Sequence, residues 1–176
     1  QAELDITDTD EPHGTFIENA LAKAGHASGR AGLPAFGDDS GICVGTLDGA
    51  PGVRSARYAE GHGGAGREEQ DALNNRKLVA ALEGKADRRA YYYCVIVLVR
   101  HAEDPVPLIA EGRWQGEVVG APRGEGGFGY DPHFLLPALG RTAAELMPDE
   151  KNAISHRGQA MQRLVEMIRY AEYQAS

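Results

Sequence analysis

Two neighbouring carboxylates, Asp38 and Asp39, stand at the polar centre of the segment from Ala35 to Val44. Apolar stretches lie on both sides of this centre, which is typical of two short strands that meet at a functional turn. Neighbouring side chains on an extended chain point to opposite sides, so one acid can face a cleft while the other braces the turn. Paired acids at turns are often only solvated or capping residues. The pair therefore predicts either a catalytic carboxylate or an ordinary turn.

Further carboxylates lie upstream, at Asp8, Asp10 and Glu11. Carboxylate oxygens are hard ligands that suit Mg²⁺ when the ion is bound together with substrate phosphates. A solvated acidic segment explains the same three residues at least as well, so a metal site is one of two interpretations here.

A glycine-rich loop, Gly124 to Pro132, carries the aromatic ring of Phe128 and the carboxylate of Asp131. Such a loop can line a planar, polar ligand, and we interpret it as a nucleobase-binding loop in which Phe128 either stacks on the ligand or packs locally. Three of its glycines also match the dinucleotide-binding fingerprint, but that motif needs a preceding strand and an opening helix. Pro132 follows almost at once, which argues against the dinucleotide interpretation.

Three cationic or titratable side chains, Lys151, His156 and Arg157, cluster near the predicted start of the final helix. Exposed amides and the helix dipole favour anions and carbonyl oxygens at such a position. A solvated helix start explains the cluster about as well as a binding site does, and a Ser155 cap is compatible with both.

Helices are predicted in three regions that could position these residues. Thr15-Phe16-Ile17-Glu18 has the spacing of a capping box, and the alanine-rich stretch after it predicts a helix to about Ser28. Helical spacing returns from Glu68 to Leu82. A last amphipathic helix is predicted from near His156, with one apolar stripe formed by Met161, Leu164, Val165 and Ile168.

Strands are predicted between these helices. Tyr91 to Val99 is aromatic and β-branched, as expected of a well-buried strand. Leu108 to Val119 predicts one or two further strands, with Gly112 and Gly116 marking a bend or bulge. Trp114 is expected to pack between strands rather than stack on a ligand. Helices flanking a mixed sheet, an α/β fold, follow from this order of elements.

The chain length of 176 residues predicts one domain spanning residues 1–176. A net charge of −8 gives no basic footprint for a nucleic-acid polymer, so a nucleotide ligand would be a free small molecule. Cys43 and Cys94 lie in apolar runs as expected of buried thiols, which favours a reducing, cytoplasmic location. No apolar run approaches the roughly 20 residues that span a bilayer, so we expect a soluble protein without a membrane partner.

Six ordered motifs together resemble the inosine/xanthosine triphosphate pyrophosphatases, enzymes that remove noncanonical purine nucleotides. The motifs lie between about residues 8 and 170, and chance agreement of all six is far less plausible than of any one. They are Thr15 to Ala20, Asp38 to Gly41, Gly49 to Tyr58, Gly126 to Pro132, Ala144 to Leu146 and Lys151 to Gly158.

The resemblance implies Mg²⁺-dependent hydrolysis of ITP, dITP and XTP to the monophosphate and pyrophosphate, which cleanses the nucleotide pool. It implies an elongated two-lobed α/β domain with a twisted mixed sheet, a cleft between the lobes, and a homodimer. Asp39 would be the general base and a metal ligand, and Asp10 a second metal ligand. Substrate would contact Ser40, Phe128, Gly129, Tyr130, Asp131, Lys151, His156 and Arg157.

One departure from the family pattern keeps other functions open. Family members begin with a strand and a Thr-x-Asn-x-x-Lys loop that binds the triphosphate, and nothing before Asp8 matches it. The sequence therefore predicts that this phosphate-binding strand and loop are missing. A catalytically inactive nucleotide-binding module, or a hydrolase of other modified nucleotides, are the alternatives.

Overall fold

The computed structural model describes residues 12–59 and 66–174. The predicted metal ligand Asp10 and its neighbours Asp8 and Glu11 lie outside these ranges. Four helices occur within them: α1 (Phe16–Ala31), α2 (Arg67–Ala81), α3 (Pro148–Ile154) and α4 (His156–Gln174). Among the described residues, no helix has the length and apolar character needed to cross a lipid bilayer.

Five strands form one sheet in the order β1-β2-β3-β4-β5. They are β1 (Ala35–Val44), β2 (Arg89–Val99), β3 (Leu108–Val118), β4 (Phe134–Leu136) and β5 (Arg141–Thr142). Neighbouring strands run antiparallel, with Glu117 opposite Leu135 and Leu135 opposite Thr142. The α/β class with flanking helices is confirmed. A mixed sheet also needs a parallel pair, and the five strands of the described part contain none.

Helix α1 begins where the capping box predicts. The Thr15 hydroxyl oxygen accepts a hydrogen bond from the Glu18 amide at 3.3 Å and donates to the Glu18 carboxylate at 2.6 Å. The helix continues to Ala31, three residues beyond the predicted end at Ser28. Gly32 ends it in the left-handed conformation, with φ of 65°, and donates its amide to the Ser28 carbonyl at 2.8 Å.

Strand β1 corrects the prediction of two short strands that meet at a turn. It is a single strand of 10 residues, and Asp38 and Asp39 lie in its middle rather than at a turn. Their side chains differ in exposure as alternation requires, since Asp39 is buried and Asp38 is half-buried. The polar centre of the sequence therefore marks the point along one strand at which alternating burial gives way to continuous burial.

Strand β3 is also continuous, so Gly112 and Gly116 do not break it. Because they have no side chain, these glycines instead allow other parts of the chain to pack closely against β3. A Cβ at Gly112 would overlap the backbone of His156, and one at Gly116 would lie 2.5 Å from the ring of Phe134. Trp114 is buried between β-strand aromatics as predicted, with its ring centroid 5.5 Å from that of Phe134.

The chain forms two compact units, each assembled from separate segments. The first unit contains the chain up to Ser40, Cys94–Gly112 and the chain from His156 onward. The second unit contains Gly41–Tyr93 and Arg113–Ser155. Strands β1, β2 and β3 each contribute residues to both units.

In the first unit, one buried apolar cluster is formed by Cys94, Ile96, Ala110, Ala160 and Leu164. In α4, Leu164 is buried and Ile168 packs against this cluster, but Met161 and Val165 are each 38% exposed. The predicted apolar stripe is therefore wrong in part, because Ala160 occupies the core position in place of the larger Met161.

The second unit holds a core to which β1, α2, β2, β3 and the β4 region all contribute. Its members include Ile42, Leu78, Tyr92, Trp114 and Phe134. The rings of Tyr92 and Phe134 lie 4.6 Å apart between centroids, a distance typical of aromatic pairs in cores. This core supports the glycine-rich loop, since Tyr130 is one of its buried members.

Candidate functional site

In the first unit, Asp39 is a buried carboxylate with several donors around it. Asn19 of α1 donates its amide to Asp39 Oδ2 at 3.0 Å, and the Ser40 backbone amide donates to Oδ1 at 3.1 Å. Lys23, one helical turn after Asn19, places its ammonium 3.5 Å from Oδ1. Residues of α1 and the strand itself thus fix the orientation of the carboxylate.

Asp38, the neighbouring acid, pairs with Arg157 at the start of α4. The guanidinium donates to Asp38 Oδ2 at 2.6 Å and lies 3.4 Å from the Ser40 hydroxyl. Burial alone would lower the pKa of Arg157, but the interactions with Asp38 and Cys94 outweigh it and raise that pKa. Asp39, Ser40 and Arg157, which the sequence predicted as site residues, therefore lie together in one unit.

The Cys94 thiol is buried near this ion pair, and the two predicted buried cysteines are both free. Burial raises the pKa of Cys94 to about 12, with the Asp38 carboxylate adding to the shift and Arg157 opposing it. The thiol is therefore neutral at physiological pH and behaves as a small apolar group.

The carboxylate oxygens of Asp38 and Asp39 are the type of ligand that a hard cation such as Mg²⁺ prefers. No group of three or more His, Cys, Asp or Glu side chains that could hold a metal occurs within residues 12–59 and 66–174. Mg²⁺ does not require one, because it is commonly held by one or two carboxylates together with substrate phosphates and water. Asp39 supplies one carboxylate of that kind, whereas the carboxylate of its neighbour Asp38 is paired with Arg157.

In the second unit, Asp131 is the buried centre of the glycine-rich loop. Its Oδ2 accepts a hydrogen bond from the Phe128 amide at 2.8 Å and forms an ion pair with Lys151. Tyr92 donates its hydroxyl to Oδ1 at 3.3 Å, and burial raises the pKa of Tyr92 well above its usual value. Asp131 therefore organises the loop through its neighbours.

Phe128, in contrast, is presented outward, with 52% of the residue exposed. The ammonium of Lys151 lies 4.7 Å from the ring centroid, and the guanidinium carbon of Arg67 lies 5.3 Å from it. An exposed ring with two cations beside it suits a flat, anionic ligand. The ring packs beside these two cations, and its stacking on a ligand stays a prediction.

Lys151 corrects the predicted cluster at the start of the final helix. It belongs to the separate helix α3 in the second unit, whereas His156 and Arg157 begin α4 in the first unit. Ser155 ends α3 in an extended conformation, with ψ of 162°, so the helical run stops between them. His156 is buried there.

The side chain of Tyr130 packs in the protein interior. Its ring is buried in the second core, and its hydroxyl donates to the Ser55 carbonyl at 2.8 Å. Ser55 in turn donates to Gly52 and accepts from the Ile42 amide at 2.9 Å. The Gly49 to Tyr58 motif is thereby tied to the loop.

Sequence analysis missed Asp71 and Asn75 of α2, which bind the loop at Gly129. Asp71 accepts a hydrogen bond from the Gly129 amide at 2.9 Å, and Asn75 donates to the Gly129 carbonyl at 2.8 Å. The only signal in the sequence was a pair of polar side chains four residues apart, which is ordinary on an exposed helix face.

Comparison with known proteins identifies the family of this chain. The sequence model of the Ham1 family matches residues 1–167. The chain belongs to the Ham1 family. The family assignment agrees with the resemblance found in the six motifs.

Ham1 relatives match along nearly the whole chain. A protein of Ralstonia nicotianae named dITP/XTP pyrophosphatase is 65% identical over 98% of this chain and 84% of its own length. A protein of Burkholderia pseudomallei with the same name is 67% identical over 96% of this chain and 79% of its own.

Solved structures of similar proteins share the fold. A HAM1 protein from Coxiella burnetii has a TM-score of 0.88 at 48% identity, over 96% of this chain and 84% of that chain. A nucleoside-triphosphatase / dITP/XTP pyrophosphatase from Mycobacterium abscessus has a TM-score of 0.73 at 40% identity, over 90% and 80%.

Proposed function

We propose that this chain hydrolyses the noncanonical purine nucleoside triphosphates ITP, dITP and XTP to the monophosphate and pyrophosphate. The observation that carries the proposal is the 65% to 67% identity, over 96% to 98% of the chain, to relatives named dITP/XTP pyrophosphatase. The buried carboxylate on β1 and the outward aromatic ring with adjacent cations are the chemistry that this reaction needs.

In the proposed reaction, a water oxygen attacks the α-phosphorus. The bond from that phosphorus to the bridging oxygen breaks, and pyrophosphate leaves with the electron pair. Asp39 accepts the proton of the attacking water as general base. Asn19 and the Ser40 amide hold the Asp39 carboxylate in one orientation, which reduces the reorganisation needed at that step.

Mg²⁺ is the proposed cofactor, held by Asp39 and by Asp10 together with substrate phosphates. When bound, it would neutralise the charge that develops on the phosphates as pyrophosphate leaves. Ser40, whose hydroxyl faces the Arg157 guanidinium, would contact the substrate beside these carboxylates.

The glycine-rich loop is proposed to bind the base and sugar. Phe128 would stack on the purine, Gly129 and Tyr130 would shape the loop, and Lys151 would attract the anionic substrate from its position above the ring. Asp131 would act by holding Lys151 and the Phe128 amide in place.

His156 and Arg157 are proposed to close on the purine. A 6-keto purine presents an acceptor where adenine presents an amino donor, so a site that offers donors there leaves one unpaired when adenine enters. Sites that depend on such hydrogen bonds can discriminate by about 10⁴ or more.

The chain is proposed to work as a single cytoplasmic domain that forms a homodimer. Its ligand would be a free nucleotide, since a net charge of −8 disfavours binding to a nucleic-acid polymer. No membrane partner is proposed.

The deciding experiment is an assay of the purified chain with Mg²⁺ on ITP, dITP, XTP, ATP and GTP, measuring monophosphate and pyrophosphate. We expect turnover of the first three in preference to ATP and GTP. Asp39→Asn should lower kcat by at least about 10³-fold, because it removes the proton acceptor and a metal ligand. Asp87→Asn, at an exposed carboxylate that pairs with Arg89, is the matched control and should retain activity.

Three outcomes would contradict parts of this proposal. Calorimetric binding of ITP without pyrophosphate release would indicate an inactive nucleotide-binding module. Preferential turnover of modified pyrimidine nucleotides would replace the substrate class. Retained ITP turnover in Asp39→Asn, with unchanged circular dichroism, would remove Asp39 from the mechanism.

A further inference from the structure

Helix α2 presents one polar face to the glycine-rich loop. Arg67, Asp71 and Asn75 are spaced four residues apart, which places them on one side of an α-helix. Each of the three contacts the loop: Arg67 lies beside the Phe128 ring, and the other two bind Gly129. These contacts lie within the second unit.

Gly129 is held through both of its backbone polar groups. Its amide donates to Asp71 Oδ2 at 2.9 Å, and its carbonyl accepts from Asn75 Nδ2 at 2.8 Å. Gly129 adopts φ of 61°, in the left-handed region that favours glycine. Asp71 therefore holds the peptide group between Phe128 and Gly129, and Asn75 holds the next one, between Gly129 and Tyr130.

Asn75 commits its whole side-chain amide group to backbone acceptors. The residue is 9% exposed, and both of its amide hydrogens point at carbonyl oxygens, those of Gly129 at 2.8 Å and of Asp71 at 2.9 Å. Because the side chain is buried and donates twice, its orientation is well defined.

Phe128 is consequently fixed from both sides. Its own amide donates to Asp131 at 2.8 Å, and the next residue is bound to α2. The ring is 52% exposed, and its side-chain contacts are with the cations of Arg67 and Lys151, so its direction depends mainly on the backbone. The backbone in turn depends on Asp71 and Asn75.

We propose that Asp71 and Asn75 are positioning residues that set the orientation of the Phe128 ring and thereby the selectivity for the purine base. This inference rests on the proposed function, because it assigns the base-binding role to Phe128. Asp71 and Asn75 do not touch the reacting atoms, so their effect falls on base binding more than on the chemical step.

The test uses kinetics of the full chain with ITP and ATP. Asp71→Ala and Asn75→Ala should each raise the KM for ITP about tenfold, the loss expected for a hydrogen bond of roughly ordinary strength. We expect kcat to change less than about threefold and the preference for ITP over ATP to fall. Arg76→Ala, at the exposed neighbour of Asn75, should leave all of these values unchanged.

Two conservative variants separate positioning from general destabilisation. Asp71→Asn retains an oxygen that accepts from the Gly129 amide, so it should restore KM and selectivity towards the wild-type values. Asn75→Asp places a carboxylate oxygen against the Gly129 carbonyl, so it should behave like Asn75→Ala or worse. If Asp71 and Asn75 only stabilise the fold, the changes in KM and selectivity should instead follow the losses in urea midpoint from variant to variant.

Equilibrium binding provides an independent measurement. IMP should bind about tenfold more weakly to Asp71→Ala and Asn75→Ala, whereas pyrophosphate should bind equally to these variants and to the wild type. Unchanged KM, selectivity and IMP affinity in both alanine variants would overturn the inference. If the wild type fails to hydrolyse ITP, the proposed function is wrong, and the IMP measurements still decide whether α2 positions the base-binding loop.

Discussion

At the residue scale, Asp131 is a motif residue whose carboxylate is engaged by several protein groups. The family resemblance assigned it to substrate contact, but its carboxylate is buried and bonded to Lys151, Tyr92 and the Phe128 amide. The ion-pair partners have side chains only 3% and 15% exposed, for Asp131 and Lys151 respectively. Removal of one partner should therefore destabilise the protein more than at a surface pair, because it leaves a buried charge without a counter-charge.

Asp131→Asn should lower the free energy of unfolding by about 3 kcal/mol, because it leaves the Lys151 ammonium partly buried without a counter-charge. Urea denaturation monitored by circular dichroism measures this change. Asp87→Asn, at the exposed pair with Arg89, should barely move the urea midpoint. A loss below about 1 kcal/mol for Asp131→Asn would mean that water screens the pair as it does at a surface.

The sequence marks Asp39, Phe128 and Lys151 as candidate site residues by type and motif, and their role stays a prediction. It does not indicate which residues contact the site. Asp71 and Asn75 are not marked in this way, because the first is 58 residues away from Gly129 in sequence and the second is 54. Spacing along a helix shows which side chains share a face and gives no information about what that face meets.

At the element scale, β3 shows why glycine was misinterpreted. A glycine inside a strand pattern predicts a bulge or a close approach, and only the second occurs at Gly112. The backbone of β3 meets the start of α4, where a Cβ on Gly112 would overlap the His156 carbonyl and lie 2.8 Å from the Ala160 amide. That contact sets the position from which Arg157 reaches Asp38.

Gly112→Ala should destabilise the protein by about 1 to 3 kcal/mol, as expected when a methyl group is forced into a packed interface. Thermal and urea unfolding both measure the effect. Gly120→Ala is the matched control, since a Cβ there meets nothing within 4 Å, and it should be neutral or slightly stabilising. Equal stability of Gly112→Ala and Gly120→Ala would contradict this prediction, because it would show that β3 and α4 can move apart to accept a methyl group at little cost.

The three predicted helices are all present, because capping and periodicity are local signals. Helix α3 was missed because it is only 7 residues long and adjoins α4 with Ser155 between them. The two strands predicted at Asp38 and Asp39 are one strand, since polar residues within a strand are accommodated by partners such as Asn19 that lie elsewhere in the chain.

At the scale of the whole molecule, three strands pass through both compact units, and each unit has its own core. The proposal of a single domain remains to be tested by cooperativity of unfolding. In the first unit, Met161, Val165 and Tyr170 of α4 are exposed by 38%, 38% and 67%. Covering such apolar surface favours association.

Sedimentation equilibrium should therefore give a mass of twice the chain value of 18.8 kDa, as expected for the proposed homodimer. A dilution series with detection of the monomer would give the dissociation constant, and unfolding should then depend on protein concentration. A mass equal to one chain at every concentration would contradict the homodimer without affecting the assignment of the family.

The sequence by itself determined the family, the α/β class and the chemical types at the site, because motifs, helix caps and apolar periodicity are written in local order along the chain. Tertiary structure decided that Asp131 and α2 hold the glycine-rich loop, that Lys151 and Arg157 belong to different helices and units, and that Phe128 is exposed. The physical reason is that these features depend on contacts between distant segments. Chain topology and packing bring such segments together, and no spacing within the sequence encodes their approach.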